Sequence, residues 1–222
     1  MKKSFLILSV LLIFLVNNSY SQYTRFETGI EAGGGSRRLY GNQAIRDSHD
    51  PVVNWEGGIF LQYNHSNKFS LRTAIDYELK GSVVHERVTE MDLFSIRIRT
   101  VEILTNLNYL SLPLFARLSF GRKAKFYINA GPYVAYLLSA RKFYYYNSDD
   151  LTDDQYDVLS NFRRFDMGFS LEPGFSVAIT KSFMFGTGFR YSLGLVDISK
   201  SSKLTLKTSS GLLLVGFGYR IK

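Results

Sequence analysis

The chain has 222 residues, 27 Lys and Arg against 19 Asp and Glu, a formal net charge of +8 and no cysteine. That length suits one domain of generous size. The lack of cysteine excludes a disulfide scaffold and any thiol-based metal or redox chemistry.

The N-terminus has the three zones of a secretory signal peptide. Lys2 and Lys3 give a positive start, Phe5 to Val16 is an almost unbroken apolar run, and Asn17-Asn18-Ser19-Tyr20-Ser21 is a polar tail with small residues at 19 and 21. Residues 1–21 are therefore expected to be a signal peptide cut between Ser21 and Gln22, the alternative being an N-terminal anchor. The apolar core is too short to cross a bilayer as a helix, which takes about 20 residues. No cysteine flanks the cut, which excludes a lipid-anchored lipoprotein. Losing Lys2 and Lys3 lowers the formal charge from +8 to +6. The remaining domain, 22–222, holds no apolar run long enough for a transmembrane helix. A soluble periplasmic protein, a secreted one and a β-barrel stay open at this point.

From Arg25 onward the pattern has period two, the mark of strands. The expected strands are 24–37, 53–64, 68–80, 101–120, 125–141, 164–180, 182–197 and 205–222. In 53–64, for example, Val53, Trp55, Ile59, Leu61 and Tyr63 oppose Asn54, Glu56, Gly58 and Gln62. In 164–180, Phe165, Met167, Phe169 and Leu171 oppose Asp166, Gly168, Ser170 and Glu172. Connections alternate in length. Segments 64–68, 120–124 and 180–182 read as tight turns, whereas 38–52, 81–100, 142–163 and 198–204 read as mostly long, polar loops. Short turns on one rim and long loops on the other are the habit of outer-membrane barrels. With eight strands, both termini fall on the short-turn side, expected to be the periplasm.

One face of every strand carries large apolar side chains; the other carries Gly, Ser and charges. The interior of an eight-stranded barrel is only wide enough to be filled by side chains. It has no room for several dozen Leu, Phe and Tyr, and the same face left in water would exceed any patch soluble monomers tolerate. The apolar face is therefore expected to meet lipid. A soluble lipocalin-like calyx needs the reverse pattern. Aromatic residues fall into two bands, as membrane interfaces select. Tyr23, Phe26, Tyr63, Phe69, Phe120, Phe126, Phe183, Phe185, Phe217 and Tyr219 form one; Tyr40, Tyr109 and Phe143 to Tyr146 form the other. The fold class expected is all-β, an eight-stranded antiparallel up-and-down transmembrane β-barrel.

The stretch Asn108-Tyr109-Leu110-Ser111-Leu112-Pro113-Leu114-Phe115-Ala116-Arg117 resembles the Y-L-x-I-P-L-L-x-K strand of the outer-membrane β-barrel domain family of Bacteroidetes, which includes the PorT-like proteins. Phe126 to Tyr133, Asp166 to Phe169 and Tyr191 to Ile198 are similar to that family's later strands. The resemblance spans essentially all of 22–222 and implies an eight-stranded barrel without fixed chemistry. Its PorT member is associated with protein secretion.

Four features bear on function. Glu27, Glu31, Arg72, Asp76, Glu78, Glu102, Arg117, Glu172, Arg190 and Arg220 are expected to point inward and form a salt-bridged plug, with a conducting path or proton relay as the alternative. Basic residues gather where strands meet the long loops: Arg37, Arg38, Arg97, Arg99, Arg141, Lys142, Arg163 and Arg164, with Lys200 and Lys203. They form a candidate rim for lipopolysaccharide phosphates, whose geometry Arg matches bidentately; generic solvated charge is the plainer reading. The acidic run 149–157 lacks the EF-hand spacing and reads as a solvated loop, with Thr152 placed to cap a short helix reaching Leu159. Finally, His49 and His85 lie in the long loops near Asp47, Asp50, Ser82 and Glu86, the minimum for general-base work on lipid A or protein. His65 lies in a turn on the other rim.

The leading expectation is a non-enzymatic barrel with a closed lumen, whose surface loops bind a secretion component, a surface ligand or lipopolysaccharide. A hydrolase using His85 or His49 is the alternative. No cofactor is expected. Nucleic acid is not an expected partner, because the positive charge is spread around a rim and the protein is exported.

Overall fold

A computed structural model describes residues 25–42, 49–92, 95–121, 124–146, 154–201 and 205–221, without the side chains of 87–100, 146 and 154. The expected signal peptide 1–21, Tyr23, Lys203 and residues 149–153 lie outside them.

Alternating side chains and a matched register close the sheet on itself. Eight long strands carry the ring: β1 (Phe26–Gly41), β3 (Val52–Asn64), β4 (Phe69–Asp92), β5 (Ser95–Gly121), β6 (Ala124–Tyr146), β8 (Phe165–Ala178), β9 (Phe183–Gly194) and β10 (Leu206–Ile221). Each pairs antiparallel with its sequence neighbour in the ring, and β1 pairs with β10 from Phe26↔Ile221 to Gly41↔Leu206. Two short strands, β2 (His49–Asp50) and β7 (Asp154–Asp157), add to β4 and β6 at one end only. That end is called the loop end here, and the opposite one the turn end.

The turns are fixed locally. Ser66 Oγ accepts hydrogen bonds from the backbone N–H groups of Lys68 (3.3 Å) and Phe69 (3.0 Å). Thr180 Oγ1 does the same for Ser182 (3.2 Å) and Phe183 (3.0 Å). A hydroxyl that satisfies the turn's own donors sets the hairpin register, and a slip of one residue would turn every side chain to the wrong face.

The apolar face is the outer one. Leu112, Leu114, Ile59, Phe169, Phe189 and Leu213 are all exposed around the circumference. At the turn end Phe26 packs on Tyr63, Phe183 on Tyr219 and Phe185 on Phe217, with ring centroids 5.3–5.4 Å apart. Toward the loop end the outer rings are the pairs Trp55–Tyr77 and Tyr136–Phe165. Tyr109 departs from the expected band. It points inward and is fully buried, because it shares the phase of Ser111 and Phe115 rather than that of Leu110.

The largest difference from expectation lies in the supposed loops. Residues 81–100 are mostly strand: the β4–β5 ladder runs unbroken from Gly81↔Asn106 to Asp92↔Ser95, and 93–94 lie outside the described residues. Residues 142–146 likewise continue β6 and pair with β5, and 154–157 form β7. Polarity hid these strands. In 85–92 only Val88 and Met91 are apolar, so the apolar alternation that signals a strand is absent there. Gly81 marks the departure. Its φ of +139° is open to glycine, and a Cβ there would lie 1.9 Å from the Thr105 carbonyl oxygen. β6 has a matching irregularity: Tyr109 pairs with Leu137 and Asn108 with Ser139, so Leu138 is an extra residue, a bulge that reverses the alternation beyond it. The expected helix from Thr152 to Leu159 is not formed at 154–157; a 3₁₀ turn at Leu159–Asn161 follows instead, its first N–H bonded to Asp157 Oδ1 at 2.9 Å. No helix among the described residues is long and apolar enough to cross a membrane, which says nothing against strands doing so.

Leu114→Arg, a charge near the middle of the lipid-facing belt, is expected to cost about 2–4 kcal/mol. Denaturant unfolding of the protein folded in lipid vesicles measures it; an unchanged midpoint would mean that this face does not meet lipid.

Candidate functional site at the loop end of the barrel

What the lumen holds decides whether the barrel can conduct. Among the described residues, seven buried carboxylates (Glu27, Glu31, Glu56, Asp76, Glu78, Asp166 and Glu172) meet five buried cations (Arg37, Arg72, Lys80, Arg117 and Arg190). Arg190 is the hub. Its Nε donates to Glu172 Oε2 at 2.8 Å, Nη2 to Glu31 Oε1 at 2.8 Å and Nη1 to Asp76 Oδ2 at 3.0 Å, and Nη1 also binds Glu56. Arg72 pairs with Glu31 and lies over the Phe60 ring, 3.6 Å from its centroid. Arg117 donates to Asn129 Oδ1 and Gln62 Oε1, both at 2.7 Å, and covers the Tyr127 ring at 3.8 Å. Nearer the loop end, Lys80 donates to Asp166 Oδ2 at 2.9 Å, and Thr208 reaches the same oxygen at 2.7 Å. Small residues make the room. A Cβ on Gly58 would stand 2.1 Å from Asp76 Oδ1.

Most of the inward set expected from sequence is therefore in place, with Arg220 half-buried on Glu27 at 3.2 Å. Glu102 is the exception. It is exposed, because its phase on β5 is that of the outward-facing Leu110, Leu112 and Leu114, while its neighbour Val101 is buried. Glu56, Lys80 and Asp166 belong to the same network and were legible from the alternation, which puts them on the polar face. Glu31, Glu56 and Asp76 bring ligand atoms within 4.8 Å of one another, a spacing that suits a cation; the Arg190 guanidinium already supplies it.

The two ends of the lumen differ. At the turn end a cavity of about 40 Å³ beside Glu27, Arg72, Arg117 and Tyr127 has room for a few waters. At the loop end an apolar plug of Leu39, Leu107, Tyr109, Tyr133, Leu137, Phe162 and Ile198 fills the bore. Its lid is the segment that brings Phe162 against Ser199 as a β-bridge.

The expected phosphate-binding rim separates by burial. Arg37 does not belong to it: it is buried, donating from Nη1 to the Lys80 carbonyl at 2.8 Å and from Nη2 to Asn106 Oδ1 at 2.5 Å, because its phase on β1 is that of Glu27 and Glu31. Arg38 is half-buried with Nε on the His49 carbonyl at 3.0 Å. Arg141, Arg163 and Arg164 are exposed, and Lys142 is half-buried. Arg163 Nε is held by the Ser199 carbonyl and Arg164 Nη1 by that of Leu137, both at 3.0 Å. Arg97 and Arg99 have backbone on β5, but their side chains lie outside the described ones.

Among the described residues the histidines do not assemble a general-base site. His49 lies half-buried on β2, and its sequence neighbours Asp47 and Ser48 lie outside the described residues. His85 Nε2 is 3.9 Å from Asp50 Oδ2, beyond hydrogen-bond reach, and both side chains are about half exposed or more. Ser82, close to His85 in sequence, is fully buried on the inner side.

Residues 17–200 match a family model described as "Outer membrane protein beta-barrel domain". No curated protein matches the chain. Among solved structures the chain is similar to Neisserial surface protein A (14% identity over 88% of this chain and 97% of that one, TM-score 0.46). It is also similar to Ail of Yersinia pestis (12%, 88% and 98%, TM-score 0.41) and to OprG from Pseudomonas aeruginosa (12%, 87% and 93%, TM-score 0.42).

Replacing Arg190 by Met leaves four buried carboxylates without their shared cation, and is expected to destabilise the barrel by about 3–5 kcal/mol. Adding Glu56→Gln and Asp76→Asn to that variant should recover part of the loss. Unfolding midpoints in detergent micelles measure both; equal stability of wild type and Arg190→Met would remove Arg190 as the hub.

Proposed function

The chain belongs to the outer membrane protein β-barrel domain family, and from that premise we propose that it is a non-enzymatic, non-conducting outer-membrane protein that presents its loop end to a partner at the cell surface. The observation that carries this reading is the contrast between the two ends. The bore is shut by charge pairs and an apolar plug, and nearly all structure beyond the barrel, the β4–β5 hairpin with β2 and β7, stands at the loop end. Recognition tends to lie on such segments, held by a rigid scaffold.

In this reading residues 1–21 are removed on export, and both chain ends face the periplasm. The pairing of Phe26 with Ile221 at the turn end supports that orientation. The exposed Arg141, Arg163 and Arg164 meet lipopolysaccharide phosphates at the rim, and a secretion component or surface ligand docks on the hairpins above. The strand motif from Asn108 to Arg117 is the ground for a PorT-like role in secretion. The half-exposed, over-long His85–Asp50 contact gives a hydrolase no support.

Two measurements test the proposal. Crosslinking on intact outer membranes, from a residue placed at 93 or 94, should capture a protein partner that a crosslinker at Ser66, in a turn, does not. Purified protein in planar bilayers should pass no ion current; steady conductance from the wild-type barrel would refute the closed lumen.

A further inference from the structure

A cavity of about 420 Å³ lies at the loop end, outside the lumen. Phe162 and Leu206 line it; the first belongs to the apolar plug and the second packs against it, so the cavity rests on the plug. The rest of its lining is Lys142 from β6, Ser160 and Asn161 from the 3₁₀ turn, and Ser199, Lys200 and Ser201 from the segment after β9. It is built rather than incidental. The Lys200 N–H donates to the Asn161 carbonyl at 3.1 Å and the Arg163 N–H to that of Ile198 at 2.8 Å, tying the two segments together. Ser201 N–H donates to Ser199 Oγ at 3.0 Å.

The chemistry of the lining is one-sided. It offers two ammonium groups, one amide and three hydroxyls, and no carboxylate among the described residues. The nearest acid in sequence, Asp197, is occupied: its Oδ1 accepts from the N–H groups of Ser199 (3.0 Å) and Leu206 (2.8 Å). Two like charges on a concave wall over an apolar floor raise the local potential for an anion. Ammonium heads bind phosphate as point charges, while the hydroxyls and the amide suit a hydroxyl-bearing frame. The volume lies in the range of small-molecule sites, about 300–1,000 Å³. We propose that this cavity binds a sugar phosphate, either free in solution or as the headgroup of lipopolysaccharide. The site requires no protein partner and is separate from the exposed rim arginines.

Isothermal titration of the full-length protein in detergent, with glucose 1-phosphate as probe and glucose as neutral control, reads the site directly. Wild type is expected to bind the phosphate and not the neutral sugar. Lys142→Gln/Lys200→Gln should weaken binding about tenfold, whereas Arg141→Gln/Arg164→Gln, which removes the same charge outside the cavity, should not. Heat-modifiable gel migration verifies that each variant is folded. A second arm measures retention of lipopolysaccharide micelles against dephosphorylated ones. Loss of that retention in the lysine variant, with glucose 1-phosphate unbound, assigns the site to the lipid headgroup; binding of both, in competition, extends it to free sugar phosphate. Loss of micelle retention in the arginine variant alone upholds the rim reading and overturns this one. Equal weakening by both variants, equal binding of glucose, or no binding of either phosphate probe also overturns it.

Discussion

The guanidinium of Arg190 on β9 holds carboxylates from four other strands: Glu31 of β1, Glu56 of β3, Asp76 of β4 and Glu172 of β8. An eight-stranded bore leaves room for only a few waters, so most of its charges must find a protein partner or carry a large desolvation cost. The network satisfies that constraint by crossing the bore, which ties opposite walls together. The glycines and serines of the inner face follow from it, since long charged side chains need their neighbours to be small. So does the segregation of bulk to the outer face, where lipid rather than protein fills the space around Leu and Phe.

The barrel portion was legible because the membrane imposes a two-sided environment on each strand. Within it, period two gives the strands, the lipid face and nearly all of the lumen charges, including the inward phase of Glu31, Asp76 and Arg190. Beyond the membrane that contrast disappears. Residues 81–100 read as a loop although Val83, Val84, Val88, Ile96 and Ile98 are good strand formers. Many of their sequence neighbours are polar, and Gly81 with the bulge at Leu138 breaks the phase where the ladder leaves the barrel. Arg37 and Tyr109 were misplaced for a related reason: each was assigned by its height on the barrel, whereas its position in the alternation decides which way it points.

The loop-end cavity was the least legible feature. Lys142 and Lys200 are far apart in the chain, and nothing local joins them. They meet through the bridge between Phe162 and Ser199, a contact between two irregular segments without a periodic signature. The apolar plug is equally composite, drawing Leu39, Tyr109, Leu137 and Ile198 from four different segments. Sequence periodicity reports the environment of one element; sites assembled from several irregular segments need the closed ring first.

The β4–β5 ladder rises without a break from the barrel wall to Asp92 and Ser95. At about 3.3 Å per residue, the dozen residues beyond Lys80 extend roughly 40 Å along the strand, more than the thickness of the hydrocarbon core. A partner meeting the ladder's tip at Asp92 and Ser95 finds backbone that is already paired, with less freedom left to lose on contact than an unpaired loop would have. Shortening both strands by equal, even numbers of residues would lower that tip while keeping the facing of the remaining residues unchanged.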